Sequence, residues 1–212
     1  MSPPSSPMTM VDRNLRRHLR LARRSLSAAD QRRHAQRLVD WLGQHPLFLR
    51  ARRIGAYVAA DGEIDPGPLL LRAQAYRKQC HLPVLRPHPR RKLWFVPVHP
   101  GDPLAPNRFG IPEPSLRNGK IRLAWALDVL FLPLVGFDAQ GNRLGMGGGY
   151  YDQTLAYLSP SSHWRRPLLI GLAHECQRLE RLEARPWDVR LDLVVTEAGI
   201  FPAAAALPAR PP

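Results

Sequence analysis

The chain has 212 residues, enough for one sizeable domain that needs neither disulfides nor a structural metal to hold it. Its 31 Lys and Arg against 17 Asp and Glu give a formal charge of +14, nearly all arginine, since lysine occurs only at Lys78, Lys92 and Lys120. The arginines are dispersed, no helix-turn-helix, zinc-finger or RNP signature appears and no segment nears 18 apolar residues, which disfavours nucleic-acid binding as the main task and excludes a membrane-spanning helix; small anionic ligands fit the charge equally well.

The Ser/Pro-rich start lacks the apolar run of a signal peptide, so a cytoplasmic protein is expected, and a monomer is the simplest expectation. Residues 1–10 and the Ala/Pro-rich tail 201–212 are expected to be disordered, leaving one folded domain over 11–200. Leu15, Leu19, Ala22 and Leu26 recur every three or four residues and predict an amphipathic helix from Val11 to about Ser25. Ser27-Ala-Ala-Asp30 has the form of a capping box and opens a second helix through Leu42, closed by Gly43 to Pro46. A strand is expected over Arg53–Val58, then a loop, then a helix from Pro66 to about Gln79.

Cys80–Leu85 and Lys92–Val98 read as strands around the turn-rich RPHPRR, and Asn107–Pro114 as a loop with two Pro-containing turns. The apolar run Leu127–Val135 has the pattern of a strand buried on both faces. A helix from Tyr150 to about Leu158 and strands at Pro167–Leu172 and Leu191–Thr196 complete the series. Strands alternating with helices predict an α/β fold: a single-domain, three-layer α/β/α sandwich on a mostly parallel, Rossmann-like sheet. Cys80 and Cys176 have no metal-ligand spacing and read as core or surface thiols. His174, after the strand ending at Leu172, is the histidine nearest the expected site, with a packing or surface role favoured.

Chemistry concentrates in Phe137-Asp-Ala-Gln-Gly-Asn-Arg-Leu-Gly-Met-Gly-Gly-Gly-Tyr-Tyr-Asp152, between a buried strand and a helix, where α/β sheets bind ligands. Gly145, Gly147, Gly148 and Gly149 let several backbone N–H groups face one anion, Arg143 adds a guanidinium fork, and Asp152 offers a hard oxygen ligand for Mg²⁺ beside phosphates. The segment is neither a Walker A loop nor a dinucleotide fingerprint in its usual setting.

The run N-R-L-G-M-G-G-G-Y-Y-D resembles the signature of the 5-formyltetrahydrofolate cyclo-ligase (5,10-methenyltetrahydrofolate synthetase) family. The Arg-rich first helix ending in L-S-A-A-D, G-A-Y-V-A-A-D-G-E-I-D, N-R-F-G-I-P-E-P and R-P-W-D-V-R-L-D-L-V-V-T-E follow in that family's order. The resemblance, over about residues 11 to 198, implies an enzyme that uses ATP and Mg²⁺ to cyclise 5-formyltetrahydrofolate to 5,10-methenyltetrahydrofolate. It assigns ATP phosphates to Arg143, Leu144, Gly145, Met146, Gly147, Gly148, Gly149, Tyr150 and Tyr151, and to Arg13 and Arg16 on the first helix.

By the same resemblance, Asp152 and Asp188 are magnesium ligands, with Asp192 a rival for the second place. Glu63 and Val58 become folate contacts, joined by Met146, Gly147, Gly148, Gly149 and Tyr150; Phe109 either stacks on the folate or anchors its loop in the core. Catalytic roles fall to Arg143, Asp152 and Glu63. One departure stands out: the family's first-helix lysine is Asp12 here, so Arg17 or Arg20 compensates, the register differs, or ATP binds more weakly. Two alternatives remain, a family member repurposed for another nucleotide or folate-like ligand and an Arg-rich nucleic-acid-binding protein. The basic surface also suits the polyglutamate tail of a folate.

Overall fold

A computed structural model describes residues 10–86, 91–158, 166–183, 185 and 188–203. The expected RPHPRR turn and the two expected disordered ends fall largely outside these residues. Helix α1 (Met10–Arg24) is followed by α2 (Ala28–Leu42), whose Ser27 cap accepts a hydrogen bond from the Asp30 amide and donates one to its carboxylate. Leu38 and Leu42 on α2 are fully buried, each such burial contributing about 1.5–3 kcal/mol. A short helix not anticipated from the sequence, α3 (Pro46–Arg50), seats Phe48 in the same core.

Strand β1 covers only Arg53–Gly55; beyond it the chain leaves the sheet toward a turn at Asp61 and Gly62, both with positive φ. Helix α4 (Gly67–Ala75) stops four residues before the expected Gln79, because Arg77 turns left-handed and Gln79 must pair with Arg53. Strand β2 (Gln79–Leu85) then runs antiparallel to β3 (Leu93–Val98).

The expected loop at 107–114 is instead the tip and return of a two-stranded ribbon, β4 (Leu104–Pro106) with β5 (Pro112–Pro114). Prolines are tolerated there because the ribbon stands outside the main sheet. Strand β6 (Val129–Pro133) is buried on both faces, as its apolar run requires. A small hairpin, β7 (Gly136–Phe137) with β8 (Arg143–Leu144), leads to α5 (Tyr150–Leu155), three residues shorter than expected. Strands β9 (Leu168–Leu172) and β10 (Leu193–Thr196) are followed by β11 (Gly199–Pro202), which crosses the boundary expected at residue 200 and pairs antiparallel with β10.

The main sheet has seven strands in the order β11-β10-β9-β6-β1-β2-β3, parallel in its five central strands and antiparallel at both edges. One face packs on α2 and α4 through Leu38, Leu42, Leu69 and Ala73; the other buries Leu155 of α5 with Phe95 and Leu130. The chain leaves β1 toward β2 on one side and β6 toward β9 on the other. Neighbouring strands whose connections diverge open a crevice at their carboxyl ends, and two loops meet there: 56–66 after β1 and 134–149 after β6.

Candidate active site

The loop after β6 is built to present Arg143. Asp138, 2% exposed, accepts hydrogen bonds from the amides of Gln140, Asn142 and Leu182 and from the Asn142 side chain, at 2.9–3.0 Å, and so clamps the β7–β8 hairpin. Leu144 turns inward against Leu19 and Val135, and its carbonyl accepts the Val135 amide. Arg143 points the other way: its Nη2 meets Asp152 Oδ1 at 2.5 Å and its Nη1 the Val189 carbonyl at 3.3 Å.

Gly145, Met146 and Gly147 are exposed, and Gly147 (φ +91°) and Gly149 (φ +68°) hold left-handed conformations that side chains disfavour. A Cβ at Gly145 would meet nothing within 4 Å, so the backbone there is open to a ligand. Helix α5 is only six residues long, so any anion held here would rely on the individual amides of the loop rather than on a helix dipole. From α1, Arg16 Nε donates to the Gly145 carbonyl at 2.7 Å, so the first helix and the glycine loop do meet. Arg13 is exposed on the same helix, while the side chain of Asp12 lies outside the described residues. Arg20 does not compensate for Asp12, because it is ion-paired with Asp61 at 2.6 Å.

Asp188 joins this group. Its carboxyl is raised from its ordinary value by burial and by the charge of Asp152, against the pull of the Arg185 amide and of Arg143. Asp192 does not join it: it is 3% exposed, its Oδ2 accepts the Leu169 amide at 2.8 Å and its Oδ1 pairs with Arg166, so it pins the start of β9. Two oxygen-donor carboxylates close enough to repel, one a third exposed, form a donor set that fits a hard divalent cation.

The loop after β1 brings Glu63 to the same crevice. Burial pushes its carboxyl up to about 7, opposed by the charge of Arg23 and by a hydrogen bond from the Ala60 amide at 3.2 Å. Tyr151 is held in its neutral form by burial and then by the charge of Glu63, so the glycine-loop helix and the Glu63 loop lie within electrostatic range. Val58 is half-buried against the core at the start of that loop.

Arg23, which the sequence reading did not single out, organises this half of the site. It is fully buried and donates to the Asp61 carbonyl (2.9 Å), the Asp61 carboxylate (2.8 Å) and the Leu134 carbonyl (2.9 Å), with Glu63 Oε1 at 3.6 Å. One guanidinium thus ties α1 to both loops of the crevice. The signal available in the sequence was only its inward position on α1, four residues after the buried Leu19.

Phe109 is 58% exposed, which rules out the core-anchor role. Its ring lies edge-on to Tyr150, with centroids 5.9 Å apart, and Arg108 donates to the Tyr150 hydroxyl. The ribbon tip therefore leans over the glycine loop with an exposed ring, and the Arg108 guanidinium lies 5.1 Å from the centroid of that ring. His174 is fully buried, which excludes the expected surface alternative, and its Nδ1 stands 2.8 Å from that of His34.

The chain is similar to known proteins along most of its length. Residues 8–197 match the model of the 5-formyltetrahydrofolate cyclo-ligase family. The Escherichia coli (strain K12) protein named 5-formyltetrahydrofolate cyclo-ligase is 36% identical over 185 residues, covering 86% of this chain and 98% of its own length. The protein of the same name from Haemophilus influenzae is 38% identical over 194 residues, covering 88% and 98%. Among solved structures, the Aquifex aeolicus 5,10-methenyltetrahydrofolate synthetase superposes with a TM-score of 0.78 at 29% identity, over 95% of this chain and 97% of that one.

Proposed function

The chain belongs to the 5-formyltetrahydrofolate cyclo-ligase family and is a cyclo-ligase that converts 5-formyltetrahydrofolate to 5,10-methenyltetrahydrofolate, and from that premise we propose that it does so with Mg·ATP bound across the crevice between β6 and β1. The observation that supports this reading is the grouping of Arg143, Asp152, Asp188, the open glycine backbone and Phe109 on one side of the crevice, with Glu63 within electrostatic range on the other.

The formyl amide at N5 is a poor electrophile and its oxygen a poor leaving group. Transfer of the γ-phosphoryl of ATP to that oxygen gives an iminium phosphate and ADP. N10 then attacks the formyl carbon and loses its proton, and departure of phosphate carries the oxygen away and leaves the methenyl bridge. No covalent protein intermediate is needed in this sequence of steps. Arg143 and the glycine amides would receive the triphosphate oxygens, and Arg16 would hold the loop from α1. Asp152 and Asp188 would hold Mg²⁺, which supplies charge neutralisation to the phosphates. Glu63, as carboxylate, would accept from the amide and amine donors of the pterin, with Phe109 stacking on the ring system.

The helix content offers nothing long and apolar enough to cross a membrane among the described residues, and a cytoplasmic monomer acting on folates, polyglutamylated forms included, is the accompanying proposal. The test follows the absorbance of methenyltetrahydrofolate with and without ATP and Mg²⁺. Product formation strictly dependent on both, with one ADP released per product, is expected; ATP-independent cyclisation or no product overturns the reading.

A further inference from the structure

Away from the crevice lining, His34 on α2, His174 after β9 and Glu197 after β10 each place one donor atom within 4.8 Å of the other two. The Nδ1 atoms of the two rings are 2.8 Å apart, and His34 Nδ1 is 3.6 Å from Glu197 Oε1. His174 is 0% and His34 8% exposed, so bulk water does not separate these groups. Two bare imidazole lone pairs at that distance repel, so a proton or a cation must lie between them, and the carboxylate adds a third electron-pair donor beside it. With metal–ligand distances of about 2.1 Å, separations of this size subtend roughly 85° and 120° at a central ion, within reach of real coordination geometry.

We propose that His34, His174 and Glu197 form a binding site for a borderline-soft divalent transition-metal ion of the Zn²⁺ or Co²⁺ class, separate from the carboxylate pair Asp152 and Asp188. Two nitrogens and one oxygen select such an ion over Mg²⁺, which prefers an all-oxygen shell. The Glu197 carboxylate is already oriented, accepting the Glu175 amide at 3.0 and 3.3 Å. The neighbouring charges are accounted for: Glu175 is engaged by Arg178 and by the Thr196 hydroxyl, and Arg23, which opposes a cation here, is met by Asp61 and Glu63.

The second nitrogen of His174, Nε2, is buried without a hydrogen-bond partner of good geometry among the described residues, and the Gly62 backbone lies close to the ring. A bound ion would therefore join α2, β9 and β10 directly behind the turn that carries Glu63, with a structural rather than chemical role.

The experiment uses the full chain stripped with a chelator and titrated with Co²⁺ in excess Mg²⁺, followed by visible d–d absorption and by competition with Zn²⁺. One equivalent is expected to bind, Zn²⁺ to displace it, and His34→Gln, His174→Gln and Glu197→Gln each to weaken it at least tenfold. Near-UV circular dichroism checks folding; if His174→Gln fails to fold, His34→Gln and Glu197→Gln decide. Absence of a d–d band at one equivalent, or affinity unchanged in His34→Gln and Glu197→Gln, overturns the site.

Discussion

The Arg143 guanidinium, 7% exposed, and the Asp152 carboxylate, 35% exposed, form an ion pair at 2.5 Å across the glycine loop. The side chain assigned to the phosphates and the side chain assigned to the metal thus hold each other at the point where a magnesium nucleotide would carry both charges. Asp152→Asn is expected to lower ATP-dependent kcat by roughly 10²–10³ at saturating Mg²⁺, and Arg143→Gln by a similar factor. The double variant should lose less than the product of the two, because the groups act on one charge distribution. Turnover within threefold of the parent in Asp152→Asn would sink the metal assignment.

Asp192 provides the contrast. Because it caps β9 and pairs with Arg166, Asp192→Asn is expected to cost about 2 kcal/mol of unfolding free energy while leaving the Mg²⁺ dependence of the remaining activity unchanged. Denaturant unfolding and a Mg²⁺ titration read the two effects separately.

Glu63 sets a pH dependence whose sign is fixed by burial. Its carboxyl is raised from 4.5 to about 7 in the fold, so the folded protein holds this proton more tightly than the unfolded chain. The stability this contributes is complete below 4.5 and is lost as pH rises through about 7. Glu63→Gln is therefore expected to gain stability relative to the parent from pH 5 to 8, by at most about 3 kcal/mol. Folate binding should run the other way: if only the carboxylate accepts the pterin donors, KM rises about tenfold from pH 8 to pH 6, and Glu63→Gln flattens the profile. A parent KM independent of pH would remove the assigned contact.

Arg23 tunes that same group. Its charge is the largest influence opposing the upward shift of Glu63, so Arg23→Gln is expected to move the midpoint of the KM profile above 7. The same variant should lose about 1–3 kcal/mol of stability, because it removes a buried donor from the Asp61 carboxylate and the Leu134 carbonyl, which keep Arg20 and Gln177 respectively. The profile separates the two roles, since a purely structural arginine would leave the midpoint in place.

Phe109→Ala tests the ribbon tip. An exposed ring contributes little to folding, so unfolding should shift by less than about 0.5 kcal/mol. Loss of stacking should raise the folate KM about tenfold with the ATP KM unchanged. A large loss of stability would mean that Phe109 supports the fold instead.

The parts legible in the sequence are those set by local physics. Periodicity fixed α1, the Ser27 cap fixed the start of α2, and the unbroken apolar run announced β6 as a strand buried on both faces. The glycine run with Arg143 before it and Asp152 after it singled out the loop now proposed to hold phosphates, because its glycines leave the backbone open to a ligand. Where the expectation missed, a distant partner had decided. The return strand β5 exists because β4 pairs with it, α4 stops because Gln79 must register with Arg53, and β11 exists because β10 leaves an edge open.

Tertiary structure alone chose between residues that look alike on paper. Asp188 and Asp192 are four positions apart, yet one repels Asp152 in the crevice and the other is tied to the Leu169 amide. Arg20 and Arg23 are two of many arginines on α1, and only the fold buries Arg23 against Asp61, Glu63 and Leu134. A side chain's type is written in the chain, but its charge state and its partners follow from how much water the fold removes and which groups, far apart in sequence, it brings within a few ångströms.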